Sequence, residues 1–136
     1  MIAPDCSVVI AALAPWHEAH RPARAALAGS QARLPAHVAF ETTSALSRMP
    51  EGQRIAPAVV LEALERGFSQ PWLSMDGEGL RDALRRAVEA GVRGGALYDA
   101  LIAATVAWHD GEILSADQRA LGTYRAMDVE VRFIET

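Results

Sequence analysis

Four carboxylates fall where an active site would need them. Asp5 stands at the end of the short apolar run that opens the chain. Asp117 ends another, Ile113-Leu114-Ser115-Ala116-Asp117. In open α/β sheets the ligand crevice lies beyond the carboxyl ends of the strands, at the topological switch point. If the two runs are neighbouring strands there, both carboxylates enter one crevice. Taken singly, each Asp is better explained as a helix N-cap. Two further acids weaken that account. Asp99 shares a helical face with Ile102, Ala103 and Val106, and Glu41 shares one with Val38 and Ala45. The helix dipole would favour an early acid such as Asp99, and Glu41 would pass as a satisfied, partly buried acid. Carboxylates on a core-facing side are nevertheless uncommon unless something pairs them. Four together repel one another and raise their own pKa values. Divalent cations resolve that repulsion, and an all-oxygen donor set suits Mg²⁺ or Mn²⁺ rather than zinc.

The composition sets the frame for such a site. The chain has 136 residues, one domain's worth, 51% hydrophobic and 22% charged, which excludes disorder and collagen-like repeats. Its longest uncharged stretch, Cys6 to His17, is too short to span a bilayer. No basic leader precedes Asp5, and Cys6 is the only cysteine, so a cytoplasmic protein without an internal disulfide is expected. All 13 basic residues are arginine and alanine occurs 27 times, as a GC-rich genome would produce. The lack of lysine excludes any mechanism that needs a catalytic one. A net charge of −4 is not that of a general nucleic-acid binder, so a nucleic-acid partner requires local arginines or bound cations.

Strands and helices alternate along most of the chain, which predicts an α/β fold with a parallel sheet. Ile2–Cys6 reads as a buried strand, although Pro4 argues against it because proline cannot donate to a ladder. Helices are expected over Ser7–Leu13, from Pro15 to Leu27, over Ala36–Met49 and over Pro57–Phe68, with a turn at Pro50-Glu51-Gly52. Residues 31–34 and Trp72–Met75 are candidate strands. Leu80–Ala90 is amphipathic, with Leu80, Leu84 and Val88 on one side and Arg81, Arg85 and Glu89 on the other. Leu97–His109 is a largely apolar, buried helix. Glu112–Ala116 and Val129–Ile134 are the clearest strands, with a short helix over Arg119–Met127 between them.

Asp5-Cys6-Ser7-Val8-Val9-Ile10, Phe40-Glu41-Thr42-Thr43-Ser44-Ala45-Leu46, Leu97-Tyr98-Asp99-Ala100-Leu101-Ile102-Ala103-Ala104 and Leu114-Ser115-Ala116-Asp117 occur in the order seen in PIN-domain ribonucleases. The chain resembles the VapC toxins of bacterial toxin–antitoxin pairs from Asp5 through Ile134. That resemblance implies a single PIN-like domain over 1–136. Its fold would have three layers, a central, mostly parallel sheet of about five strands flanked by helices. It implies a metal-dependent endoribonuclease in which Asp5, Glu41, Asp99 and Asp117 are the catalytic and metal-binding acids, Mg²⁺ or Mn²⁺ the cofactor, and Ser7 and Ser115 supporting residues. It implies as partners RNA, a VapB-like antitoxin whose arginine enters the acidic cleft, and a second copy in a homodimer. Pro4 stands where the family usually has an aliphatic residue, and Leu121 near where an aromatic is common. Arg48, near Glu41, and Arg119, just past Asp117, are candidate RNA phosphate contacts. Val9, Leu13 and Trp16 form an apolar series, expected with the Pro57–Phe68 helix to be the antitoxin face. Replacing Asp5 by Asn is expected to relieve repulsion at no cost to metal-free stability.

Other motifs lead elsewhere. Trp16-His17-Glu18-Ala19-His20 spaces its histidines three apart, not the four a metalloprotease helix needs, so surface histidines are expected. His37 and His109 read as solvated or capping residues. Cys6 has no basic neighbour to lower its pKa and reads as a small buried residue. Gly91, Gly94 and Gly95 do not follow a strand as a dinucleotide fingerprint requires. Trp16, Trp72 and Trp108 are read as core or interface. Receiver domains and haloacid-dehalogenase phosphatases use a lysine that this chain lacks. The alternative from another class is a non-catalytic PIN-like interaction module.

Overall fold

A computed structural model describes residues 1–135. Three parallel strands form its sheet: β1 (Ile2–Pro4), β2 (Glu112–Ser115) and β3 (Glu130–Phe133), in the order β1-β2-β3. Ile2 registers with Glu112 and Pro4 with Leu114, so Asp5 and Asp117 lie just past the carboxyl ends of adjacent strands. Proline is accommodated in β1 by the alternation of peptide groups. Asp5 N–H donates to Leu114 O at 3.0 Å, and Met1 O accepts from Glu112 N at 3.0 Å. Residues of the opposite parity face away from β2, where Ile2 O accepts from Arg33 N at 2.9 Å. Pro4 shares that parity, so its missing N–H removes no bond to β2.

Side chains alternate across the sheet into two apolar clusters. Ala3 and Ile113 enter the larger core, whereas Ile2 and Leu114 enter a smaller one with Val8, Ala11, Ala19 and Ala23. These last come from α1 (Cys6–Leu13) and the stretch opening α2 (His20–Ala28). The larger core is closed by α3 (Ala36–Ser47), α4 (Pro57–Gly67), α5 (Gly77–Glu89), α6 (Ala96–Trp108) and α7 (Leu121–Ala126). Helices therefore cover both faces, as a parallel sheet demands. Among the described residues no helix is long and apolar enough to cross a membrane.

Several expectations are corrected. The sheet has three strands, not about five. Residues 31–34 and Trp72–Met75 meet only at an isolated parallel bridge, Pro35 with Leu73. Two bonds make it, Leu73 N to Leu34 O and Ala36 N to Leu73 O, both 2.8 Å. Pro35 and Pro71 lack the N–H groups that would extend it. The second helix starts at His20, because Pro15–Ala19 are spent in turns. The amphipathic helix buries neither of its two expected sides but a third stripe: Gly79, Ala83 and Ala87 face inward, while Leu80, Leu84 and Val88 are exposed. Small residues permit close approach to α6, since a Cβ at Gly79 would stand 2.8 Å from Trp108 Cζ3. The turn after Pro50 and the buried α6 are found as expected.

Candidate active site

Asp5 is the hub of the site. Its backbone is extended and its side chain caps α1, Oδ1 accepting from Val8 N at 3.3 Å. The cap and the site thus share one residue. Oδ1 also accepts from Ser7 Oγ at 2.5 Å, and Oδ2 accepts from Ser115 Oγ at 2.6 Å and Tyr124 Oη at 2.7 Å. Four donors fill the acceptor sites of a carboxylate that is only 3% exposed. The two serines are relays. Ser7 Oγ accepts from Ala116 N at 2.8 Å and Ser115 Oγ from Asp117 N at 3.0 Å, which fixes the loop leaving β2 to the N-terminus of α1.

Glu41 lies on α3 and each of its oxygens has a partner. Cys6 Sγ donates to Oε2 at 3.3 Å, and His37 Nε2 lies 2.6 Å from Oε1. The His37 ring stacks on Tyr98 of α6, centroids 5.3 Å apart and planes within 7°. Burial, then Glu41, pushes the Cys6 thiol up, so it stays a protonated donor and no nucleophile, as expected. Burial and the charge of Asp5 likewise push the Tyr124 hydroxyl up and keep it a donor. Asp117 caps a single 3-10 turn, Gln118–Ala120; its Oδ1 accepts from Arg119 N at 3.0 Å and Arg119 Nε at 3.2 Å.

Asp99, in the first turn of α6, reports the convergence. Its pKa is pushed up to about 6, by burial first and then by the charges of Glu41, Asp5 and Asp117. Asp99 thus lies within electrostatic reach of Glu41, Asp5 and Asp117. Among the described residues, arginines pair with Glu62, Asp82, Asp128, Glu112 and Asp117, never with Asp5, Glu41 or Asp99. Among the described arginines, Arg119 alone stands against these four acids, at Asp117. No three His, Cys, Asp or Glu groups among the described residues close into a ligand cage. The donor chemistry fits a hard divalent cation all the same, because Mg²⁺ takes one or two carboxylates and keeps its other positions for water and substrate oxygens.

The remaining expected residues are placed as follows. Arg48 caps the C-terminus of α3, its Nε on Ser44 O at 3.1 Å, about 10 Å along the helix from Glu41. An open groove of about 870 Å³ runs between α1, α2 and α4, lined by Val9, Leu13, Leu27, Val59, Ala63 and Phe68. One member of the expected apolar series needs correction. Val9 is 1% exposed and belongs mostly to the core. Trp16 lies outside the groove, its indole N–H on Gln53 O at 3.3 Å, because the chain leaves α1 before reaching it. His17 and His20 serve local turns, accepting from Ala19 N at 3.0 Å and meeting Ala11 O at 2.8 Å. His109 meets Ser74 O at 2.9 Å at the end of α6. His37 is neither solvated nor a cap, contrary to expectation. Its spacing of four from Glu41 within an expected helix was the signal for it. Tyr124 had none: it lies one helical turn past Leu121 and meets Asp5 across 119 residues.

Comparison with known proteins gives these features a context. A family model described as PIN domain matches residues 2–126. The chain is similar to Ribonuclease VapC40 of Mycobacterium tuberculosis, 41% identical over 98% of this chain and 99% of that protein. It is 35% identical to Ribonuclease VapC27 of the same organism, over 96% of this chain and 94% of that one. Among solved structures, FitAcB from Neisseria gonorrhoeae shares the fold at a TM-score of 0.70 and 23% identity, covering 96% of both chains.

Proposed function

This chain belongs to the PIN-domain family, and from that premise we propose that it is a metal-dependent endoribonuclease toxin of the VapC kind. What supports the reading is that burial and the charges of Glu41, Asp5 and Asp117 push the Asp99 carboxyl up, while among the described residues no arginine pairs with Asp5, Glu41 or Asp99. Asp5, Glu41, Asp99 and Asp117 would hold Mg²⁺ or Mn²⁺, Asp5 by giving up one of its four donors to the ion; when bound, the metal activates water and stabilises charge developing at the scissile phosphate. The protein's own part is preorganisation. Ser7, Ser115 and Tyr124 lock Asp5, while Cys6 and His37 aim Glu41. Arg119, 93% exposed beside Asp117, and Arg48 at the end of α3 are the phosphate contacts of this reading.

A VapB-like antitoxin occupies the groove between α1, α2 and α4, placing an arginine against the unpaired acids. The exposed stripe Leu80, Leu84 and Val88 on α5 supports pairing with a second copy as a homodimer. One cysteine and no membrane-spanning helix among the described residues support a cytoplasmic location. The test is incubation of purified chain with RNA and Mg²⁺ or Mn²⁺, followed by analysis of the ends. Metal-activated water leaves a 5′ phosphate and a 3′ hydroxyl, and activity disappears in Glu41→Gln. A 2′,3′-cyclic phosphate refutes the mechanism. No metal-dependent cleavage would leave the non-catalytic interaction module as the function.

A further inference from the structure

We propose that Phe40 and Tyr98 form a base-stacking platform for single-stranded RNA, an inference that rests on the ribonuclease reading above. Phe40 immediately precedes Glu41 on α3, and Tyr98 immediately precedes Asp99 on α6. Each ring therefore stands one residue from a site acid. Phe40 is 75% exposed and Tyr98 55%, more than any of the three tryptophans. Burying a phenylalanine is worth about 1.5–3 kcal/mol. Phe40 forgoes that one residue before Glu41 on α3, so its apolar face serves something other than the core. Tyr98, which borders Leu80 and Leu84 at the edge of the face offered to a second copy, has its ring plane fixed by the stack on His37, which Glu41 holds in turn.

The surroundings select the ligand. Phe40, Ser44 and Arg48 recur every fourth residue and are all exposed, so α3 offers a ring, a hydroxyl and a guanidinium in one strip of about 12 Å. The acids repel a polyanion and the chain carries −4 overall, so Coulomb attraction cannot be the main grip. Aromatic faces hold bases without regard to charge, and any base has a π-face to offer. Only unpaired bases can be splayed onto such rings, which selects single strands over duplex.

The test uses the full chain, with fluorescence anisotropy of a labelled single-stranded oligoribonucleotide in EDTA and KM for cleavage in Mn²⁺. Phe40→Ala is the deciding variant, because Tyr98 also backs His37. Stacking of one base is worth about 1–3 kcal/mol, so Phe40→Ala should weaken binding about 5- to 150-fold and raise KM in parallel. Phe40→Trp should restore both, and an abasic strand of equal length should not distinguish the variants. Unchanged affinity and KM in Phe40→Ala overturn the platform. So does an equal loss on the abasic strand, or a shift in sedimentation from dimer to monomer, which would make this face a contact between copies. The two readings fail separately. Wild-type chain that binds single strands through Phe40 but never cuts them defeats the ribonuclease. Cleavage that ignores Phe40→Ala defeats only the platform.

Discussion

Asp99→Asn should stabilise the metal-free protein at neutral pH and leave it unchanged in acid. Asp99 ionises near pH 6 in the folded chain against 3.8 for the free side chain, because burial and then Glu41, Asp5 and Asp117 oppose its charge. A carboxyl raised on folding costs stability only where the unfolded chain would ionise it. The cost is absent below about pH 3.8, grows through pH 6 and is constant above. Full conversion of the shift gives about 3 kcal/mol. Asp99 is only half-buried and sits in the first turn of α6, where the dipole favours an anion. Solvent screening and the dipole together reduce the figure to about 1–2 kcal/mol. Asn has the same shape without the charge, so at pH 7.5 in EDTA its melting temperature should rise by about 3–8 °C. At pH 4 the two proteins should melt together. Mg²⁺ at 100 times its dissociation constant should then add about 2.7 kcal/mol to wild type, leaving it ahead of a variant that no longer binds the ion by about 1–2 kcal/mol. Circular-dichroism melts between pH 4 and 8 decide it. A variant less stable than wild type at pH 7.5, or a difference that does not vary with pH, refutes the reasoning.

Asp5 should behave in the opposite way, since both of its oxygens are filled by donors. Asp5→Asn puts an amide N–H₂ among groups that already donate, and Tyr124→Phe removes one bond to a charged acceptor. Each should cost about 1.5–3 kcal/mol in urea unfolding without metal, and an unchanged midpoint for Tyr124→Phe would show that Asp5 does not depend on it. Along the α1/α2/α4 groove, Leu13→Asp should lower affinity for a VapB-like antitoxin by at least about tenfold, while Trp16→Ala should leave it unaltered. Calorimetric titration checks both, and the reverse ranking would move the partner off this groove.

The acids and their order along the chain were legible from residue types alone. Asp5 and Asp117 end apolar runs, and those runs do lie side by side in parallel. What pairing adds could not be read. Tyr124 reaches Asp5 only because α7 folds back over the carboxyl ends of the strands, and no local pattern marks that. The apolar period of Leu80, Leu84 and Val88 was read correctly as a stripe, yet its direction depends on a neighbour. Gly79, Ala83 and Ala87 let α6 come closer than leucines would, so the smaller side faces inward. Residues 31–34 and 72–75 read as candidate strands, but prolines at 35 and 71 limit their pairing to a single bridge.

The sheet order has a consequence in time. β1 is the first strand to leave the ribosome and cannot be paired until β2, more than a hundred residues later, has been made. Asp5 waits with it, since Ser115 and Tyr124 are needed to hold its carboxylate. At about 5–20 residues per second this is an interval of roughly 6 to 22 seconds. Throughout it a nascent chain carries Asp5, Glu41 and later Asp99 without a crevice to gather them. Any chemistry that needs Asp5 held in place therefore waits until β2 and α7 have been made.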